Sequence, residues 1–184
     1  MSNQQPRAGP MLRAFSGPAL AIVLERAASA IEHIAQQVYE AKGTEWGGVT
    51  FGRLWNLAGH LIVVIEDATE GSCANASPVR CDILPQSWDY GEAQIRRQNR
   101  SPGLRIGTWH SHPHMAPLPS RTMDAPAFWS YQHVPHFVGI IVNPYARPQP
   151  ERACWALGEM ELFRVPSYVL KDAPWTRRVL ALRR

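Results

Sequence analysis

The sequence is short of cysteine, of long apolar runs and of clustered charge, and each shortage closes off a class of protein. Cys73, Cys81 and Cys154 are an odd set with no C-x-x-C pair. That argues against a disulfide framework and for a reducing, cytoplasmic setting. The most apolar early run, Pro18 to Leu24, is followed at once by Glu25 and Arg26. It makes a poor signal peptide and is much too short to span a bilayer, so no membrane role is expected. Nineteen basic residues against fifteen acidic ones leave a formal charge of only +4. Arginine dominates the basic set, no Lys-rich run occurs, and the one local cluster is the stretch from Thr176 to Arg184. Nothing here makes the basic stripe that nucleic-acid binding needs.

What is present is ordinary globular composition, 45% hydrophobic and 18% charged over 184 residues, enough for one domain with a sizeable core. Residues 1–15 read as a flexible tail, 16–170 as the folded domain, and 171–184 as a basic tail or short helix. Leu20, Leu24, Ala27, Ile31, Ile34 and Val38 recur at steps of four and three, which predicts an amphipathic helix. Ser16 or Gly17 can cap it, Pro18 suits its first turn and Gly43 ends it. Glu25, Arg26, Glu32, His33 and Gln36 then fall on its wet side.

A Gly-rich segment, Gly47-Gly48-Val49-Thr50-Phe51-Gly52, predicts a strand passing close to another backbone. Leu61 to Ile65 is a second strand, hairpin-paired through Asn56 to Gly59. Ala68 to Pro78 reads as loop and Trp88 to Arg100 as a short helix. Leu104 to Trp109 is an apolar strand, and Ala127 to Tyr131 is helical. The run Phe137 to Val142 is continuously apolar and reads as a buried central strand. A hairpin across Gly158 and a short basic helix from Val169 complete the order α-β-β-α-β-α-β-β-β. This is an α/β domain with a mixed central β-sheet, a long N-terminal helix and shorter helices.

Chemistry concentrates between Arg105 and Asp124. His110 and His112 lie two apart at the end of a strand, so both imidazoles project from one side. Two His with a carboxylate form a three-ligand zinc site with one open position. Such a site lowers the pKa of a bound water to about 7 and suits amide hydrolysis. A base is still required, and Glu45 stands out because it immediately precedes the Gly-rich strand. Ser120 is placed to donate a hydrogen bond to an oxyanion; a helix-capping role is compatible with this.

Together these pieces resemble the JAMM/MPN+ (Jab-domain) metallopeptidases: Glu45-x-x-Gly48-x-x-x-Gly52, then His110-Ser111-His112-Pro113, then Pro119-Ser120 and Asp124. The resemblance implies a single MPN/Jab-type domain in which His110, His112 and Asp124 hold one Zn2+. It implies Glu45 as general acid/base through the zinc-bound water, and Ser120 as a brace for the tetrahedral intermediate. Family members cleave after the Gly-Gly terminus of ubiquitin or a ubiquitin-like protein. The compact form is similar to a bacterial branch of deconjugases encoded beside activating and conjugating enzymes, some of them in antiviral defence operons. One departure stands out: three residues, Arg121, Thr122 and Met123, separate Ser120 from Asp124 where the family has two. Inside a helix one extra residue turns a side chain by about 100°. Pro126, however, is costly in a helix interior, which places the helix start near Thr122 to Asp124, where irregular backbone can absorb the insertion. A non-catalytic MPN-type binding module is the alternative reading, as is a RadC-like DNA-associated protein, whose motif shares His-x-His-Pro.

Overall fold

A computed structural model describes residues 17–173 apart from 135, 159 and 160. The chain opens with strand β1 (Leu20–Leu24) and passes directly into helix α1 (Glu25–Lys42). The single long helix expected from Ser16 onward is thus corrected to a strand and a helix. A step of four residues fits both periods: Leu20, Ile22 and Leu24 pack on one face of the sheet with Ile62 and Val64, while Ala21 and Val23 point to the other. Gly43 ends α1 as expected, in the left-handed region at φ 65° with its N–H donating to Tyr39 O. Ser16 lies outside the described residues.

Strands β2 (Gly47–Leu57) and β3 (His60–Glu70) form the expected hairpin. Its two-residue turn holds Ala58 and Gly59 at positive φ, and Asn56 Oδ1 accepts from Gly59 N–H at 3.0 Å. The supposed loop from Ala68 to Pro78 is corrected too. It contains the end of β3 and strand β4 (Cys73–Ser77), which pairs with β5 (Arg80–Ile83) as a separate two-stranded sheet. Helix α2 (Ser87–Arg97), strand β6 (Leu104–Ser111), helix α3 (Asp124–Trp129) and strand β7 (Val138–Asn143) follow, with β7 buried throughout. Strands β8 (Glu151–Leu157) and β9 (Leu162–Val165) make the last hairpin. Ser167–Leu170 is strand β10, parallel to β1, so the helix expected from Val169 does not begin there; residues 174–184 lie outside the described set.

The main sheet runs β10-β1-β3-β2-β6-β7-β8-β9. Its two end strands are separated in sequence only by Pro166, so the sheet must curl until its edges approach. Within that curl α1 packs Ala27, Ala28, Ile31 and Ala35 against Val63, Ile65, Trp109 and Ile140. On the opposite face α2 seats Trp88 and Ile95 on Val49 and Phe51. There too α3 seats Phe128 with Phe137 and Ile141. Gly48 crosses β3 so closely that an added Cβ would collide with Thr69 O, which is the close backbone approach the glycines predict.

Arg26, expected on the wet face of α1, is instead half-buried. Its guanidinium donates to Glu66 O at 2.8 Å, to Asp67 at 3.2 Å and to Asp172 at 2.9 Å. Arg100 also bonds Asp67, and Asp67 is only 6% exposed. Removing that carboxylate takes a buried charged partner from both guanidiniums, although Arg26 keeps Asp172. Asp67→Ala is therefore expected to cost about 2–3 kcal/mol in urea unfolding, a reduced figure because both guanidiniums are about a third exposed. An unchanged midpoint contradicts this.

Candidate metal centre

β6 delivers His110 and His112 on the face opposite Trp109, the side on which α3 packs; the His110 ring lies 5.7 Å from that of Phe128. α3 begins at Asp124, so the carboxylate stands at the helix entrance, as the position of Pro126 predicts. Residues 121–123 form a turn that absorbs the additional residue. Ser120 organises it: its Oγ accepts from Met123 N–H at 3.2 Å and Asp124 N–H at 3.1 Å. Asp124 Oδ2 accepts from Ser120 N–H at 2.6 Å. The 100° displacement never develops, because the insertion lies outside the regular helix.

Three donor side chains converge. His110 Nε2 is 3.2 Å from His112 Nε2, and Asp124 places Oδ1 3.1 Å from His110 Nε2 and Oδ2 3.3 Å from His112 Nε2. Bonds of 2.0–2.1 Å in a tetrahedral zinc site put neighbouring ligand atoms about 3.3 Å apart. The two imidazoles stand at that spacing, and each faces one oxygen of the Asp124 carboxylate, so the three side chains suit a zinc ion. Ala116 O, 3.2 Å from His112 Nδ1, fixes the ring so that Nε2 faces the site.

Glu45 follows from strand register. β2 and β6 pair antiparallel with Gly47 opposite His110, and Trp46 and Ser111 continue the ladder, with Ser111 N–H donating to Trp46 O at 2.8 Å. Ser111 Oγ accepts from Trp46 N–H at 3.0 Å. One step further sets Glu45 beside His112, on the histidine face. It is 2% exposed, and its Oε1 has no hydrogen-bond partner. Burial, with Asp124 adding repulsion and His112 opposing, lifts its carboxyl to about 7. Burial lowers His110. It pulls down His112 as well, but Asp124 and Glu45 outweigh it and His112 rises. For Asp124 burial acts upward, yet the two imidazoles prevail and hold its carboxyl well below the usual range.

The five residues singled out by sequence thus gather at one end of β6. Other contributors were not visible. Arg80, Asp82 and Ile83 of β5 wall a pocket of about 140 Å³ that reaches His110 and Asp124, and Tyr131 OH donates to Ile83 O at 2.9 Å across it. Thr108, two residues before His110 on the same strand face, also lines this pocket; that spacing was its one sequence signal. His114 is an exposed loop residue, as expected, stacked on Tyr145 with ring centroids 4.7 Å apart.

The sequence profile for prokaryotic homologs of the JAB domain matches residues 27–164, including Glu45, His110, His112, Ser120 and Asp124. The chain belongs to the prokaryotic JAB-domain family. Among solved structures, this JAB-domain chain is similar to protein DSY2949 from Desulfitobacterium hafniense. They share 14% identity and a TM-score of 0.56, over 84% of this chain and 96% of that one. At that identity the likeness concerns fold alone. No curated protein matches the chain. No helix among the described residues is long and apolar enough to cross a membrane.

Proposed function

We propose that this JAB-domain protein is a zinc-dependent peptidase or isopeptidase that hydrolyses the bond after the C-terminal glycine of a ubiquitin-like protein. One observation carries the reading: the donor atoms of His110, His112 and Asp124 lie within 4.8 Å of one another, beside a buried Glu45 whose Oε1 has no hydrogen-bond partner. A catalytically silent binding module has no need to bury such a carboxylate at a cost in stability. A two-imidazole, one-carboxylate donor set suits zinc, which when bound would supply a Lewis acid and lower the pKa of water.

The chain's own groups do the rest. Glu45, titrating at about 7, is poised to take a proton from the attacking water and return it to the leaving amine. Ser120 accepts two backbone N–H bonds through Oγ, which leaves its own O–H to donate to the developing oxyanion. The slim pocket between β5 and α3 favours an extended chain of small residues, which supports a glycine terminus. Activating and conjugating enzymes encoded nearby are the proposed partners. The zinc-loaded protein should cleave a ubiquitin-like fusion, lose that activity to a chelator and regain it with added zinc. Cleavage that persists after complete zinc removal rejects the reading.

A further inference from the structure

Cys73 and Cys81, expected to remain free, are joined as a disulfide. They sit where a change of redox state reaches the cleft. Their strands, β4 and β5, pair with each other alone and stand apart from the main sheet. The two strands are short, made of small and polar residues, and their register is irregular between Ala74 and Ser77. Such a ribbon is marginal without a tether. The side-chain bonds that help it, Asn75 to Asp82 and Arg80 to Asp82, are exposed and therefore weak.

The ribbon nevertheless builds the site. Ser77 O accepts from Glu45 N–H at 2.8 Å, Ile83 O accepts from Tyr131 OH, and the Cys73 sulfur lies 3.8 Å from O of Gly47, the residue opposite His110. Cys81 itself lines the pocket that reaches His110 and Asp124. Both joined cysteines are half-buried and within reach of a reductant. Cys154, in contrast, is fully buried, with its thiol pushed up to about 11, so it does not compete for exchange.

We propose that Cys73 and Cys81 are a redox-active pair whose disulfide holds the β4–β5 wall of the cleft in place, and whose reduction by a dithiol loosens that wall and weakens substrate capture. The capture half of this inference rests on the proposed function; the redox half does not. In the exchange a thiolate of the reductant attacks one sulfur, forming a mixed disulfide and releasing the other cysteine. The second thiol of the reductant then displaces the first cysteine. Two electrons pass, Cys73 and Cys81 become thiols, and the reductant leaves as its disulfide.

The test uses the full zinc-loaded chain with a phosphine reductant, which converts the disulfide and one water to two thiols and a phosphine oxide. Free thiols are counted by mass after alkylation, and amide exchange is followed across residues 72–84. On reduction, exchange in that segment should rise by about tenfold or more while β6 stays protected. kcat/KM for a ubiquitin-like fusion should fall by about fivefold or more, through KM with kcat nearly constant. Cys73→Ser should match the reduced protein and no longer respond to the phosphine. Unchanged exchange with both thiols shown free overturns the proposal, and so does an unchanged KM once the ribbon has loosened. A protein that cleaves no fusion in either redox state defeats the proposed function instead, and the exchange comparison still decides the redox pair.

Discussion

Glu45→Gln should lower kcat/KM by about a thousandfold, the scale of a lost general base, while zinc affinity stays close to that of the parent because Glu45 is not among the three converging donors. The same substitution should make the metal-free protein more stable in alkaline solution. In the fold the Glu45 carboxyl titrates at about 7 against 4.5 for an ordinary one. A raised carboxyl contributes stability that is fully present below pH 4.5 and is lost as pH rises through 7. Above that pH the buried carboxylate costs about 3 kcal/mol. Glutamine carries no such charge, so melting of the two metal-free proteins should coincide near pH 4.5 and diverge by several degrees at pH 8.5, with glutamine the higher. A variant that keeps its activity, or that melts below the parent at pH 8.5, contradicts the role given to this carboxylate.

Asp124→Ala should weaken zinc binding by at least about a hundredfold, more than the loss of an outer-shell partner. The carboxylate touches both imidazoles, at 3.1 and 3.3 Å. Without it His110 and His112 keep two donors 3.2 Å apart, one short of a three-ligand site with an open position. Competition against a chromophoric chelator reads the change directly. Ser120→Ala offers a graded comparison. It removes the Oγ that accepts from Met123 and Asp124 N–H but leaves the backbone N–H of residue 120 to bond Asp124, so zinc affinity should fall less than for Asp124→Ala. Equal losses for the two variants would contradict the division between ligand and cap.

The site was more legible than the frame around it, for physical reasons. A step of two on a strand and the cost of an interior proline are local rules, and they placed His110, His112 and Asp124 despite the insertion. Glu45 was visible only from its place before a glycine-rich strand; its burial depends on the β2–β6 register, which no local pattern encodes. The apolar spacing of Leu20–Leu24 satisfies both the helix and the strand period, and only pairing with β3 and β10 decides for the strand. The β4–β5 ribbon leaves no local signal because its small and polar residues carry little strand preference. Its cohesion comes from a bridge between cysteines eight apart and from contacts to Glu45 and Tyr131. Helix periodicity alone puts Arg26 in solvent, whereas its partners Asp67 and Asp172 lie 41 and 146 residues away in sequence.

Zinc content after equilibrium dialysis decides whether His110, His112 and Asp124 form one zinc site. The parent protein should retain one zinc per chain, and a His110→Ala/His112→Ala double variant should retain none while keeping the parent's folded spectrum. A parent that holds no zinc, or a double variant that holds as much as the parent, would contradict that site.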